Sequence, residues 1–340
     1  MNSKKIGVIG AGSWGTALSH ILSEIGYDID LWVYEKDLCQ TIKETRENAI
    51  FLPGIHLSDR IKPINLIEQV VGNNSIIILV LPTHVIRQVA IVFQPYLKPH
   101  CLIINAGKGI ENDTFFTIDR ILQEVIKTPC SIAAISGPTF ASEIARHCPS
   151  AMVAAANDLE TAQRVQALFS TSTLKIFTST DLLGVELGGA LKNIIAIATG
   201  ISDGLQLGFN ARAALITRGL VEIKRIGTAL GARPETFSGL SGVGDLVLTC
   251  TGDLSRNRSV GIKLGQGYKL KEITKNMKMV AEGIYTVKSA YNLKEKLNIQ
   301  ASIMDETYKV IYEEKPPRQA LADLLKVEIS TEFAGVKGIE

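Results

Sequence analysis

The sequence predicts an α/β fold with a mostly α-helical C-terminal part, and three observations carry the prediction. A short apolar strand at residues 5–9 runs into Gly10-Ala-Gly12-Ser-Trp-Gly15 and then into a helix pattern with Ala17, Leu18, Ile21, Leu22 and Ile25 on one face. Strand and helix patterns then alternate as far as residue 180, including an unbroken run at 75–81 of the kind a parallel strand covered on both faces requires. Beyond residue 181 the alternation stops and the periods become mostly helical. A Rossmann-like domain at residues 1–181 and a helical domain at 182–340 follow, and two cores suit a chain of 340 residues.

Strand, GxGxxG and helix stand in the order a dinucleotide site needs. The glycines permit a tight turn, close approach of a pyrophosphate and close helix packing, and the helix N-terminus receives negative charge. The second strand, at 28–34, leads to Glu35, where an acid can hold a ribose hydroxyl. Tyr34 and Lys36 beside it could equally accommodate a 2'-phosphate, so NAD and NADP both stay open.

A helix at 36–48, a turn at Phe51-Leu-Pro-Gly54, a short strand near Ile61 and the strand at 75–81 continue the alternation. Thr83 stands where it would cap the next helix, whose apolar face is Val85, Ile86, Val89 and Phe93. Strands at 101–104 and 131–135 open into two loops, Asn105-Ala-Gly-Lys108-Gly-Ile-Glu111 and Ser136-Gly-Pro-Thr139-Phe-Ala141-Ser-Glu143. Ligands of such sheets bind beyond the carboxyl ends of the strands, which makes Lys108 and the second loop candidates. Strands at 150–156 and 175–178 flank a helix at 159–169.

Residues 181–202 read as one helix, apolar on nearly every side and therefore buried. A membrane span is the poorer reading, because Glu186 and Lys192 would both sit in hydrocarbon. Gly188, Gly189 and Ala190 would let another backbone come close, and Gly189, Lys192, Asn193 and Ala196 share a face. A lysine on an apolar helix needs a reason, and Lys192 with Asn193 reads as a donor pair facing a site. Further helices are expected at 211–230, 282–297, 304–313 and 318–326, with the last dozen residues frayed. The segment 238–258 is glycine-rich around Asp245 and ends in Ser255-Arg256-Asn257, a plausible phosphate clamp because Arg offers a rigid donor fork.

A net charge of +2 gives no broad basic field, which argues against nucleic acid and anionic membrane as partners. Cys39, Cys101, Cys130, Cys148 and Cys250 are scattered without a CxxC and read as reduced packing residues. His20, His56, His84, His100 and His147 show no HxxxH or HExxH spacing, so no metal site is expected. The basic start, broken by glycines, is no signal peptide, and a cytoplasmic protein is the expectation.

Taken together, these motifs resemble the bacterial NAD(P)-dependent glycerol-3-phosphate dehydrogenases over nearly the whole chain. The resemblance rests on the glycine-rich start, the 51–54 turn, the loops at 108 and 136, the stretch at 186–193, residues 244–250 and 255–261, and Val280-Ala-Glu282-Gly. It implies interconversion of sn-glycerol 3-phosphate and dihydroxyacetone phosphate, feeding phospholipid synthesis. It makes Lys192 the proton acceptor with Asn193 beside it, and Lys108 a further catalytic donor. It assigns Lys108, Gly137, Thr139, Lys192, Asp245, Ser255, Arg256 and Asn257 to substrate. Gly10, Gly12, Ser13, Trp14, Gly15, Tyr34, Lys108, Ala141, Arg256, Val280 and Glu282 would meet NADP or NAD. Two departures stand out: Val33-Tyr34 where relatives often carry Gly, His or Arg, and Thr139 where many carry Ser. The expected partner is a small phosphorylated substrate, and a homodimer is allowed, with no stable membrane insertion. A related hydroxyacyl or sugar-acid dehydrogenase would lack Ser-Arg-Asn and usually offers a histidine base, yet no histidine follows His147. A nucleotide sensor or a structural protein on the same fold would have no need of Lys192 in an apolar helix.

Overall fold

The computed structural model describes residues 5–275, 277, 279–327 and 331–337. Its first part runs β1 (Lys5–Ile9), α1 (Ser13–Glu24), β2 (Asp28–Trp32), α2 (Lys36–Thr45), β3 (Glu47–Asn48), β4 (Leu52–His56), β5 (Ile61–Ile64), α3 (Ile67–Asn73), β6 (Ile76–Leu79) and α4 (Thr83–Phe93). It continues β7 (Cys101–Asn105), α5 (Ile118–Val125), β8 (Cys130–Ser136), α6 (Ala141–Ile144), β9 (Ser150–Ala156), α7 (Leu159–Phe169) and β10 (Leu174–Ser179). Eight strands form one sheet in the order β10-β9-β8-β7-β6-β1-β2-β5. β1 is parallel to β2 on one side and to β6 on the other, so the strand order reverses at β1. That reversal makes a crevice beyond its carboxyl end, where the glycine-rich turn lies. Ile6, Val8, Ile29, Leu31, Ile78 and Ile104 carry the core along this sheet.

The remainder is helical: α8 (Leu182–Gly204), α9 (Gly208–Ala229), α10 (Asp245–Thr251), α11 (Arg256–Gly265), α12 (Leu270–Lys275), α13 (Glu282–Lys296), α14 (Ser302–Tyr312) and α15 (Pro317–Leu324). Contacts group the chain into two units, the first made of Met1–Gly107, Ile118–Ile135 and Thr139–Leu182, the second of Lys108–Thr117, Ser136–Pro138 and Leu183–Glu340. The loop that follows β7 and the first residues of the one that follows β8 thus join the helical unit, whereas Thr139 stays with the first. α8 is the one described helix long and apolar enough to cross a membrane, but 89% of its most apolar window is buried inside the protein. Leu187, Leu191, Ile194 and Ile195 of α8 pack with Ile223, Leu246, Val260 and Val287, which accounts for its all-round apolarity.

Four expectations need correction. Leu52, Pro53 and Gly54 do not end in a turn but run into β4, which pairs antiparallel with β3. Thr83 begins α4 without capping it, since Pro82 occupies the cap position and no side-chain bond is made there, and Ala90 rather than Val85 or Val89 joins Ile86 and Phe93 in the core. Cys148 is exposed, so the cysteines are not all packing residues. Residues 331–337 are not frayed: Arg218 donates to the Glu332 carbonyl, Arg225 to that of Ala334, and Val336 is buried. Residues 328–330 and 338–340 of the same tail lie outside the described residues.

Glu222 of α9 supplies the cap that α14 lacks in its own sequence. Its Oε1 accepts from Ile303 N at 2.8 Å and its Oε2 from Met304 N at 3.1 Å, satisfying two otherwise orphaned N–H groups. Burial nevertheless raises this carboxyl from its usual 4.5 to about 7, against the pull of the two N–H donors. A carboxyl raised in the folded state favours folding most below 4.5 and loses that contribution as pH rises through 7. Relative to Glu222→Gln, the wild-type protein should therefore gain about 3 kcal/mol as pH falls across that window, as read by denaturant unfolding at each pH. A pH-independent difference between the two would show that Glu222 stays ionised.

Candidate active site

In the first unit the glycine-rich turn has the shape of an anion cradle. A Cβ on Gly10, whose φ is +115°, would fall 2.3 Å from the Val80 carbonyl, and one on Gly15 would fall 1.9 Å from the Gly10 carbonyl. Gly12 faces open space, with nothing within 4 Å of such an atom. Gly10 and Gly15 thus close the turn, and Gly12 lets a ligand reach the backbone at the start of α1. Two side chains missed in the sequence brace this region. Buried Asn48 donates to the Ala11 carbonyl and to Thr16 Oγ1, both at 2.8 Å, and so fixes the turn from behind. Asn65 donates to the carbonyls of Val33 at 2.8 Å and Tyr34 at 2.7 Å, fixing the end of β2. Tyr34 itself is 73% exposed and meets Trp32 edge-on, while Glu35 precedes α2 without capping it. Ser13 donates its hydroxyl to the Phe51 carbonyl at 2.5 Å, Trp14 packs on the core, and Ala141 opens α6 just after Thr139. These residues fit a dinucleotide: an open helix N-terminus for the phosphates and a polar, exposed strand end for the adenosine ribose.

The helical unit holds the ionised groups. Lys192, on the buried face of α8, donates to Asp245 Oδ1 at 2.5 Å and to Thr249 Oγ1 at 2.6 Å. Lys108 donates to Asp245 Oδ2 at 2.5 Å and to the Gly137 carbonyl at 3.3 Å. One carboxylate, 1% exposed, therefore sits between two ammoniums. The local chain explains the arrangement. Residues Leu240–Gly244 form a π-helical turn that delivers Asp245 into the first turn of α10, one turn before Thr249. Gly188 lets Ser241 of that turn press against α8, and Gly189 leaves room for the Lys108 stem and for Ser136 Oγ. The Ser136 hydroxyl, at the start of the loop offered as a candidate, is buried there with no hydrogen-bond partner among the described residues.

Burial lowers Lys192 from 10.5 to about 8; Asp245 opposes the shift and Lys108 adds to it. Arg256 is not among the causes. Burial also pushes the neighbouring Cys250 thiol up to about 12, so Cys250 stays neutral and supplies no thiolate.

Asn193 has a different place from the one expected. Its Oδ1 accepts from Asn257 Nδ2 at 2.9 Å, its own amide turns back to the Gly189 carbonyl at 3.4 Å, and Asn257 Oδ1 accepts from Gly283 N at 3.0 Å. This buried relay ties α8, α11 and α13 together. Ser255 caps α11, its hydroxyl accepting from Arg258 N at 3.2 Å, and exposed Arg256 donates to the Val280 carbonyl at 2.9 Å. Glu282, in the first turn of α13, acts electrostatically on Arg256.

A cradle at the strand-order reversal, together with a buried lysine held on a shared carboxylate, defines the class of a two-domain NAD(P)-dependent dehydrogenase. Residues 5–162 match the family model for the NAD-dependent glycerol-3-phosphate dehydrogenase N-terminus and residues 181–322 the model for its C-terminus. The chain belongs to the NAD-dependent glycerol-3-phosphate dehydrogenase family. It is 50% identical over 330 residues to glycerol-3-phosphate dehydrogenase [NAD(P)+] of Syntrophobacter fumaroxidans, covering 96% of this chain and 97% of that one. Against the Geobacter sulfurreducens protein of the same name it is 48% identical, covering 97% and 99%. The crystal structure of glycerol-3-phosphate dehydrogenase from Coxiella burnetii superposes with a TM-score of 0.91 at 34% identity, covering 95% of this chain and 98% of that one.

Proposed function

We infer that the protein interconverts sn-glycerol 3-phosphate and dihydroxyacetone phosphate with NAD(P), supplying glycerol 3-phosphate for phospholipid synthesis. The observation that carries this reading is the Asp245 carboxylate shared by Lys108 and Lys192. Each ammonium has three donors, of which two are engaged on Asp245 and Thr249 by Lys192 and on Asp245 and Gly137 by Lys108. A third donor on each remains for an incoming oxygen. In the reductive direction the ketone oxygen gains negative charge, and Lys192 donates a hydrogen bond and then its proton while Lys108 supplies the second donor. Fixed donors aimed at such an oxygen are typically worth about 3–4 kcal/mol each. When bound, NAD(P)H supplies the hydride. In the oxidative direction neutral Lys192 takes the hydroxyl proton. Asn193 and Asn257 act as positioning residues, because their amides brace three helices.

The phosphate is assigned to Arg256 and to the first-turn N–H groups of α11, which Ser255 caps. Thr139 and Gly137 complete the substrate side; Gly12, Ser13, Trp14, Tyr34, Ala141, Val280 and Glu282 are assigned to the cofactor. Arg256→Ala should raise the KM for dihydroxyacetone phosphate about 10- to 100-fold, the worth of a charged hydrogen-bond pair, and leave any turnover of unphosphorylated dihydroxyacetone unchanged. An unchanged KM for the phosphorylated ketone would move the phosphate elsewhere.

The reading as a whole is tested by nicotinamide absorbance with purified protein, dihydroxyacetone phosphate, and NADPH or NADH in parallel. Oxidation of either supports it, and the ratio of kcat/KM values settles the preference that Tyr34 and Glu35 leave open. Binding of nucleotide with no oxidation would overturn it in favour of a sensor. A homodimer in the cytoplasm completes the proposal, to be read by light scattering and cell fractionation; membrane insertion is not proposed, since α8 forms its own unit's core.

A further inference from the structure

We propose that His20, Glu24 and His147 form a binding site for a divalent transition ion of the zinc class, separate from the residues assigned to substrate and cofactor. His20 and Glu24 stand one turn apart on α1, with Nε2 of the histidine 3.5 Å from Oε1 of the glutamate. His147 Nε2 lies 3.3 Å from the other oxygen, Oε2, and the three ligand positions fall within 4.8 Å of one another. In a tetrahedral site with metal–nitrogen and metal–oxygen bonds of about 2.0–2.2 Å, neighbouring ligand atoms are about 3.3–3.5 Å apart. Each imidazole already stands at that distance from one oxygen of the Glu24 carboxylate, and rotation of the exposed Glu24 and His147 side chains would bring both rings onto a single oxygen.

The backbone aims His147 at α1. Its φ of +59° lies in the left-handed region, in a chain reversal after α6 fastened by His147 N to the Ile144 carbonyl and Cys148 N to the Glu143 carbonyl, both at 3.0 Å. His20 Nδ1 is buried without a hydrogen-bond partner among the described residues, which leaves Nε2 as the ring's outward nitrogen. Burial chiefly, with His147 adding to it and Glu24 opposing, lowers the His20 pKa and so favours the neutral ring a metal needs. Two imidazoles and one carboxylate suit zinc and its neighbours, whereas calcium and magnesium require oxygen donors, and the fourth position falls to water. Such an ion would fasten α1, the helix that opens at the glycine-rich turn, to the segment after α6. The sequence hid this site because His147 lies far from the His20 and Glu24 pair.

The test is calorimetric titration of the metal-free whole protein with Zn2+, and with Co2+ as a spectroscopic probe. One ion per chain is expected, with affinity reduced at least tenfold in Glu24→Gln and in His147→Asn; asparagine tolerates the left-handed backbone, so the second variant should fold. Zn2+ should raise the unfolding temperature of the wild type and leave that of His147→Asn unmoved. Cys148→Ser should bind as the wild type does. Loss of binding in Cys148→Ser, wild-type affinity in both ligand variants, or no saturable binding would each overturn the site.

Discussion

Lys192→Met is expected to leave a folded protein whose turnover of dihydroxyacetone phosphate falls about 10³- to 10⁴-fold, the range of a lost general acid that is also an oxyanion donor. The side chain is 5% exposed, so methionine replaces its stem with little loss of packing, and Asp245 keeps Lys108 and its contact with Thr249. Stability should not suffer. A lysine held at about 8 in the fold, against 10.5 ordinarily, binds its proton more weakly there than in the unfolded chain. Its contribution is therefore unfavourable below pH 8 and vanishes as pH rises from there to 10.5. Removing it should recover up to about 3 kcal/mol at neutral pH, visible in denaturant unfolding. The same value sets the pH profile of the wild type. Reduction needs the ammonium and should decline as pH rises through about 8, while oxidation needs the amine and should rise through it. A methionine variant that keeps more than about a tenth of wild-type turnover is incompatible with Lys192 as the general acid.

The carriers of this chemistry were legible in the sequence because each broke a local rule. Lys192 interrupts an apolar helix, the glycines of the first turn interrupt a strand-to-helix pattern, and β9 and α7 showed their full length through unbroken apolar periods. What stayed hidden was relational. Nothing near Asn48 or Asn65 marks either as a brace, since their partners lie 31 to 37 residues away in the chain. Asn193 beside Lys192 looked like a second donor; only Asn257, 64 residues on, shows that its amide oxygen is held as an acceptor. Glu222 illustrates the same limit, as an acid within α9 that caps a helix about 80 residues later. The short helix α3 offers only two turns of period, too few to separate it from an apolar loop. Asp245 stands out in the sequence only as a carboxylate in a glycine-rich segment, and the structure gives it two ammoniums.

Asp245→Asn should be the most damaging exchange among the residues that surround Lys192. Both carboxylate oxygens are engaged, Oδ1 by Lys192 and Oδ2 by Lys108, at 1% exposure. An asparagine keeps one acceptor and turns an N–H group toward the other ammonium, so two buried or half-buried cations lose their shared counter-ion. Breaking such a pair costs about 3–5 kcal/mol, because the partner charge is left uncompensated. Part of that cost is relieved by deprotonation. Asp245 is the main influence holding Lys192 up against burial and against Lys108, so without it the ammonium should titrate below the wild-type value of about 8. At neutral pH the variant should then hold mostly neutral Lys192, with reductive kcat lower by on the order of 10²-fold and its alkaline limb displaced to lower pH. The oxidative direction, which uses the neutral amine, should suffer less. That asymmetry separates an electrostatic role from simple loss of structure, which would depress both directions together and leave the limb in place. Profiles of both directions for the wild type and Asp245→Asn decide it: a limb that stays near 8 in the variant would mean Asp245 does not set the charge of Lys192.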